Sequence, residues 1–280
     1  MHIVKTINDC VFFRNQANGR IGFVPTMGSL HAGHLKLVER SLKICDITIV
    51  SIFVNPKQFG THEDLESYPK NINQDLKLLE NLNVDCVFVP KKTEMFSDNH
   101  SIDLIENQLS KVLEGNSRPQ FFGGVITVVS KLFNIFIPTD VFFGQKDAQQ
   151  LIIIKKLIKD MSYNINCHSI PTVRDENGLA LSSRNDYLNS VWLKIASNIY
   201  KSLCLVKMKI DKGEKNVSVL KKIYCASISQ FNGLKIDYFS IADLNTLQEI
   251  PNVINSKILI STAVIVNKQV RLIDNIECSM

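Results

Sequence analysis

The sequence predicts an α/β protein in which a doubly wound parallel sheet is followed by a smaller α+β domain. In the first part of the chain, short apolar runs alternate with amphipathic helical patterns, which is the order that parallel strands and crossover helices produce. Beyond Pro171 two helical patterns come first and three strand patterns follow, a grouping typical of α+β units. We therefore expect two domains, at residues 1–172 and 173–280.

Each predicted element follows from hydrophobic spacing. The first part contains five strand patterns, at residues 20–24, 46–54, 84–89, 141–144 and 164–170. The second of these is apolar almost without interruption, as strands covered on both faces are. Four helical patterns accompany them, at residues 34–44, 72–82, 123–137 and 148–161. The second part contains helical patterns at 192–209 and 217–231 and strand patterns at 235–242, 258–266 and 269–273.

Composition excludes several classes of protein. A chain of 280 residues that is 45% hydrophobic can bury a sizeable core. Its net charge of +5 is too small and too dispersed for a nucleic-acid-binding surface. The longest apolar stretch, 125–137, is interrupted by polar residues, and the first residues lack a signal-peptide core. Seven cysteines without a Cys-x-x-Cys pair indicate free thiols. We expect a cytoplasmic protein that binds neither nucleic acid nor membranes.

The most informative motif follows the first strand pattern, where Val24-Pro25-Thr26-Met27-Gly28-Ser29-Leu30-His31-Ala32-Gly33-His34-Leu35 leads into a helix. The two histidines lie three residues apart, on one face of the first helical turn. Unpaired N–H groups and the positive end of the helix dipole suit a nucleotide phosphate at that position. The two glycines allow a ligand to approach the backbone. Taken alone, the motif fits an ordinary helix start equally well.

Three further polar clusters carry candidate functional groups, two of them just beyond predicted strands, where open α/β sheets bind ligands. Asn55 and Gln58 follow the second strand, and their amides can orient a hydroxyl or carboxylate. Lys146, in Gly144-Gln145-Lys146-Asp147, is a point charge suited to phosphate, whereas Asp147 is more typical of a helix cap. Leu181-Ser182-Ser183-Arg184 would form a phosphate clamp, although Arg184 alone is more typical of a surface ion pair.

These clusters, occurring together and in this order, resemble the pantothenate synthetase (pantoate–β-alanine ligase) family. The likeness includes Tyr68-Pro69, Leu113-Glu114-Gly115, Arg118-Pro119 and Arg271-Leu272-Ile273-Asp274-Asn275, so it runs from about residue 20 to residue 275. The His-x-Gly-His turn also resembles the signature of the HIGH-type nucleotidyltransferase superfamily. The resemblance implies a Rossmann-like first domain, a smaller C-terminal domain that acts as a lid, and a homodimer. It also implies ligation of (R)-pantoate to β-alanine with ATP and Mg²⁺, through pantoyl adenylate, releasing AMP and pyrophosphate.

The resemblance also suggests roles for individual residues. The catalytic histidine of the family falls on His34, and we expect His31, Lys146 and Arg184 to share in the chemistry. Substrate binding falls on Gln58 and Gln150, with Asn55, Pro25 and Met27 beside them. The expected ATP-binding residues are Met27, Gly28, Ser29, Leu30, His31, Ala32, Gly33, His34, Gly144, Gln145, Lys146, Asp147, Val173, Leu181, Ser182, Ser183 and Arg184. No metal ligand is assigned.

Two departures from the family pattern keep other functions open. Gln145 stands where the family usually has Glu, and Gln120-Phe121-Phe122-Gly123 replaces a usual Gly-His-Phe. A cytidylyl- or adenylyltransferase is disfavoured because a phosphate acceptor would favour more Arg or Lys. A nucleic-acid-binding module derived from a synthetase is disfavoured by the modest charge. A degenerate paralogue that binds ATP without ligating is the third alternative, and the two departures are what raise it.

Overall fold

The computed structural model describes residues 1–60 and 63–279, which form two compact units. The first unit comprises Met1–Gln145 and Gln150–Pro171, and the second comprises Lys146–Gln149 and the residues from Thr172 onward. The predicted fold class is confirmed, because a parallel sheet with helices is followed by a smaller antiparallel sheet.

The sheet of the first unit contains six strands in the order β1-β4-β3-β2-β5-β6, and every neighbouring pair is parallel. The strands are β1 His2–Val4, β2 Ile21–Thr26, β3 Ile47–Ile52, β4 Cys86–Phe88, β5 Asp140–Gly144 and β6 Asn166–Ile170. The helices of this part of the chain are α1 Ile7–Gln16, α2 Ala32–Ile44, α3 Ile72–Asn81, α4 Lys92–Met95, α5 Glu114–Ser117, α6 Phe121–Phe136 and α7 Ala148–Asp160.

The centre of this sheet is buried on both faces, which explains its nearly continuous apolar runs. Phe23 of β2 and Phe88 of β4 are fully buried, and both rings pack against Phe136 of α6, with centroids 5.1 and 5.7 Å away. Leu37 and Val38 of α2 are buried in a cluster with residues of β2 and β3. Burial of this kind supplies most of the free energy that holds strands and crossover helices together.

The strand order reverses direction at β2, because β3 and β4 lie on one side of it and β5 and β6 on the other. Such a switch point is where open α/β sheets bind ligands, beyond the carboxyl ends of the strands. The residues that follow β2, β3 and β5 therefore emerge at the same edge of the sheet.

The second unit is built on three antiparallel strands in the order β7-β8-β9, which are Leu234–Asp243, Ile258–Val266 and Val270–Cys278. Its helices are α8 Ser190–Ala196, α9 Asn198–Asp211 and α10 Val217–Ile228. The ring of Tyr224 on α10 stacks on Phe239 of β7 with a centroid distance of 4.0 Å. Its hydroxyl donates to Thr262 of β8 at 2.9 Å, so this helix is fixed to the sheet by both stacking and a buried hydrogen bond.

Several element boundaries differ from those that the sequence predicts. Strand β1 and helix α1 were not predicted, because a three-residue strand and a helix with mixed polarity give weak periodic signals. The predicted helix 192–209 is two helices that meet at Ser197, whose hydroxyl donates to the carbonyl of Lys194 at 2.8 Å. Strand β9 continues to Cys278, past the two polar residues that interrupt its pattern. Among the helices of the described residues, none combines the length and apolar character of a membrane span.

Candidate active site

The loop after β2 begins with a sharp reversal of the backbone. Gly28 and Ser29 both adopt positive φ angles, 84° and 50°. A Cβ atom on Gly28 would lie 3.1 Å from both Asp75 and Ile52, so glycine suits this position for space as well as conformation. The hydroxyl of Thr26 donates to the carbonyl of Ser51 at 2.7 Å, which ties the end of β2 to β3. The start of the loop is thereby fixed before the first histidine.

The carboxylate of Asp75, on α3, holds the loop that follows β2. Its two oxygens accept the backbone N–H groups of Ser29 and Leu30 at 2.9 and 2.8 Å. Asp75 is only 2% exposed, and burial raises the pKa of its carboxyl while the two N–H donors oppose that change. Because one buried side chain accepts both N–H groups, it fixes the position of this part of the loop.

His31 and His34 form a reciprocal cap at the start of α2. Nδ1 of His31 accepts the N–H of Gly33 at 3.1 Å, and Nδ1 of His34 accepts the N–H of His31 at 3.4 Å. The neutral rings therefore carry their protons on Nε2. The ring centroids are 4.1 Å apart, so the two imidazole rings lie together at the positive end of the helix dipole. This arrangement suits an anion.

The turn after β3 holds a glutamine amide in one orientation. Nδ2 of Asn55 donates to Oε1 of Gln58 and to the carbonyl of Gly124, both at 3.0 Å, and Oδ1 of Asn55 accepts the N–H of Lys57. A Cβ on Gly124 would lie 2.1 Å from the carbonyl oxygen of Lys57, so only glycine permits this approach of α6. The oxygen of Gln58 already accepts a hydrogen bond from Asn55, which orients the amide, and its NH₂ group can donate to a ligand.

Arg118 supports the same turn from the segment before α6. Its guanidinium donates to the carbonyl of Gln58 at 2.9 Å and to Glu63, with Nε 2.6 Å from the carboxylate. It also lies over the ring of Phe121 at 3.8 Å from the centroid. Phe121, which departs from the family pattern, is thus a cation–π partner of Arg118, the arginine that supports the turn of Gln58.

The segment after β5 places Gly144 and Gln145 at the same sheet edge, and Gln150 lies in the first turn of α7. Lys146 and Asp147 belong to the second unit, and Nζ of Lys146 lies 3.3 Å from the carboxylate of Asp147. The carbonyl of Lys146 accepts a hydrogen bond from Asn275 of β9 at 2.8 Å. The sequence-predicted residues of this segment are therefore divided between the two units.

The remaining predicted residues lie in the second unit, on a short hairpin and the turn that follows it. Leu181 donates its N–H to the carbonyl of Val173 at 2.9 Å, which closes the hairpin. Ser182 then caps the 3₁₀ turn Ser183–Tyr187, with its hydroxyl accepting the N–H of Arg184 at 3.2 Å. Arg184 is half-buried. Ser182, which the sequence places in a candidate phosphate clamp, therefore also has a structural role as the cap of this turn.

No group of three or more His, Cys, Asp or Glu side chains within residues 1–60 and 63–279 could hold a metal ion. Mg²⁺ normally retains waters and binds through substrate phosphates rather than through an all-protein cage.

A parallel α/β sheet with a helix N-terminus at its switch point is an architecture that suits nucleotide binding. The family described as Pantoate-beta-alanine ligase matches residues 2–277 of this sequence. A pantothenate synthetase of Thermosipho melanesiensis is 47% identical over 279 residues, which covers 99% of both chains. One of Fervidobacterium nodosum is 47% identical over 278 residues, 98% of both. The chain belongs to the pantoate-beta-alanine ligase family.

Solved structures agree with this assignment. The crystal structure of pantothenate synthetase from Thermus thermophilus superposes with a TM-score of 0.93 at 35% identity, covering 99% of each chain. The ligase from Francisella tularensis, complexed with β,γ-ATP and β-alanine, gives a TM-score of 0.80 at 35% identity and covers 99% of this chain and 97% of that one.

Sequence reasoning did not single out every residue that shapes these loops. Asp75, Glu63 and Gly124 lie in stretches without a recognisable motif, and Arg118 entered only as part of the family likeness. An acidic residue near the start of a helix, such as Asp75, ordinarily indicates favourable interaction with the helix dipole. Its contact with a loop about 45 residues earlier depends on the packing of α3.

Proposed function

We propose that this protein joins (R)-pantoate to β-alanine in an ATP-dependent reaction that passes through pantoyl adenylate and releases AMP and pyrophosphate. One observation carries the proposal. Two neighbouring strands of the parallel sheet lead, at the same edge, into a helix start capped by two histidines and into a turn that holds the amide of Gln58. The first feature suits phosphates and the second suits an uncharged hydroxyl or a carboxylate. Membership of the ligase family supports the same assignment.

In the first step the carboxylate of pantoate attacks the α-phosphorus of ATP, and the bond to the β-phosphate oxygen breaks. One anion approaches another, so positive groups and N–H donors must be in place beforehand. The Nε2–H groups of His31 and His34 are such donors, and their Nδ1 contacts fix the tautomer. We assign His34 the main role at the α-phosphate, as a stabilising donor and not as a nucleophile.

Pantoate is assigned to Gln58 and Gln150. An amide orients a hydroxyl or carboxylate without adding a charge that would compete with the phosphates. Asn55 is 1% exposed, and its amide is occupied by two hydrogen bonds within the turn and one to the carbonyl of Gly124 on α6. We therefore assign Asn55 the task of holding Gln58, and we assign Pro25 and Met27 to the substrate-binding site beside it.

The nucleotide is assigned to the loop from Met27 to His34, to Gly144–Asp147, to Val173 and to Leu181–Arg184. Lys146 and Arg184 supply positive charge for the phosphates. Mg²⁺ carried on ATP would neutralise further charge on the phosphates. We also propose that residues 1–172 and 173–280 are two functional domains. The second acts as a lid that excludes water from the adenylate.

In the second step the neutral amine of β-alanine attacks the acyl carbon of the adenylate. The carbon–oxygen bond to AMP breaks, the amine loses a proton and AMP leaves. ATP has already activated the carboxylate, so no covalent bond to the enzyme forms. We further propose a cytoplasmic homodimer. Seven free thiols support the first part of that proposal and the family resemblance supports the second.

The direct test is to mix the purified protein with MgATP, pantoate and β-alanine and to identify the products by mass spectrometry. We expect pantothenate and AMP in equal amounts, with both lost when any one substrate is omitted. Pyrophosphate with a nucleotidylated acceptor and no AMP would indicate a nucleotidyltransferase instead. ATP binding without any product would identify a degenerate paralogue and refute the proposal.

A further inference from the structure

Two consecutive buried polar residues of β9, at the end of the Arg271–Asn275 stretch, contact Lys146 and the hairpin that precedes Leu181–Arg184. Asp274 and Asn275 are 4% and 6% exposed. Buried polar side chains lower stability unless they are paired, so their presence in a strand calls for partners. Both have partners within the second unit.

Asp274 holds the hairpin that precedes Leu181–Arg184. Its two oxygens accept Nη1 and Nη2 of Arg174 at 2.6 and 2.8 Å, in a bidentate ion pair. Arg174 also donates to the carbonyl of Gly178 at 3.2 Å and lies 3.4 Å from the ring centroid of Tyr200. Its backbone pairs with that of Ala180 across the hairpin. These contacts together hold Arg174, and with it the hairpin, in one position.

Asn275 holds the other segment. Its Nδ2 donates to the carbonyl of Lys146 at 2.8 Å, and its own N–H donates to Oδ1 of Asp274 at 2.8 Å. Consecutive residues of a strand face opposite sides of the sheet, so one dipeptide can reach two separate segments. Oδ1 of Asp274 accepts hydrogen bonds from both Nη2 of Arg174 and the backbone N–H of Asn275. This one atom therefore links the contact with the hairpin to the contact with Lys146.

We infer that Asp274 and Asn275 are positioning residues that set the spacing between Lys146 and the Ser182–Arg184 turn, so that both reach the triphosphate in adenylate formation. This inference rests on the proposed nucleotide site. The triphosphate is present only in the first step, because pyrophosphate has left before β-alanine reacts. Misplacing these segments must therefore slow adenylate formation and leave the second step almost unchanged.

The test measures the two steps separately. Adenylate formation is followed as pantoate-dependent exchange of labelled pyrophosphate into ATP. The second step is followed with chemically prepared pantoyl adenylate and β-alanine. We expect Asn275→Ala to slow exchange about tenfold or more at saturating ATP, since displacements near 1 Å can cost up to about 100-fold. The second step should stay within about twofold of wild type.

Two further variants and a control complete the design. Asn275→Asp keeps the size of the side chain but removes the donor to Lys146, so it should be as slow in exchange as Asn275→Ala. It carries the test if the alanine variant fails to fold. Arg174→Lys removes the bidentate fork and should also slow exchange selectively. Asp237→Asn breaks a more exposed ion pair with Arg271 on the same sheet and should change neither step.

Equal losses in both steps, or a fast Asn275→Asp, would overturn the inference. Failure of the proposed function is distinguishable from that result through Lys146→Ala. If Lys146→Ala abolishes exchange while the Asn275 variants exchange normally, only the positioning role is wrong. If Lys146→Ala exchanges normally, the assignment of the nucleotide site itself is wrong.

Discussion

The two parts of the proposed nucleotide site are held in place by different means. In the first unit, His31 and His34 cap the helix on which they lie, through contacts between residues two and three positions apart. In the second unit, Lys146 is held by a strand residue 129 positions later in the sequence. Both partners of a local cap appear in one sequence motif, whereas the partner of a distant anchor cannot be identified from the sequence. A motif search can therefore find the histidine cap, whereas the contact between Asn275 and Lys146 can be found only in the folded structure.

The largest effect should come from Lys146, the charge that the distant anchor positions. Lys146→Ala removes a cation that no neighbouring donor replaces in our assignment, so pantothenate formation at saturating ATP should be nearly abolished. Gln145→Glu restores the usual family residue next to it and should change turnover only modestly. Steady-state assays of wild type and both variants make the comparison. A wild type that is inactive until Gln145 becomes Glu would identify a degenerate paralogue.

His34 tests the locally capped part of the site. His34→Ala should lower turnover about 100-fold or more, the usual result of removing one preorganised donor to the transition state. ATP binding should weaken less, because the backbone N–H groups at the start of α2 persist. Turnover and ATP affinity, measured by calorimetry, separate the two effects. His2→Ala, an exposed histidine beside Phe13, is the control. Turnover near the control value would make the role of His34 structural.

Gln58 separates the acyl substrate from the nucleotide. Losing an amide partner for a buried polar group costs about 1–3 kcal/mol, so Gln58→Ala should raise the KM for pantoate roughly 5- to 150-fold. Gln150→Ala should do the same, and the affinity for ATP should stay nearly constant in both. Equal loss of affinity for ATP and pantoate would show that this side of the pocket is wrongly assigned.

The smallest effect on catalysis is expected at Asp140. This residue begins β5, so it lies at the end of the sheet opposite the proposed active site. Burial alone would raise the pKa of this fully buried carboxyl, but hydrogen bonds from Arg20, His168 and Thr139 outweigh it and hold the pKa well below its usual range. A carboxyl with a depressed pKa stabilises the fold above its unfolded pKa of about 4 and loses that contribution as the pH falls.

Asp140→Asn should therefore lower the free energy of unfolding by about 2 kcal/mol at pH 7 and by progressively less below about pH 4. Urea unfolding across that pH range measures the difference. Turnover per folded molecule at pH 7 should be unchanged. A stability difference that does not depend on pH would show that the ion pair is not its source.

The sequence predicted the parts of the fold that depend on periodicity. The buried runs of β2 and β3 and the amphipathic spacing of α2 gave the alternating order, from which the common sheet edge follows. The capped start of α2 was visible because His31, Gly33 and His34 are close in sequence. Strand β1 was missed because three residues that pair only with β4 carry no pattern of their own.

Contacts between distant residues could not be read from the sequence. Asp75 reaches the loop after β2 only because α3 packs against the sheet, and its carboxylate looks like any acidic residue in the first turn of a helix. The role of Arg118 depends on Glu63 and Phe121 meeting around one guanidinium. Asp274 and Asn275 entered only as part of the family likeness, just beyond the predicted end of a strand, although the strand continues through them and their partners lie elsewhere in the chain.

The central claim is that the protein activates pantoate with ATP before the amine reacts, and isotope exchange tests it most directly. Labelled pyrophosphate is incubated with the enzyme, MgATP and pantoate, and its incorporation into ATP is measured with and without β-alanine. We predict exchange that requires pantoate and proceeds in the absence of β-alanine, because the adenylate forms reversibly on its own. Exchange that strictly requires β-alanine, or that needs no pantoate, would contradict the stepwise mechanism.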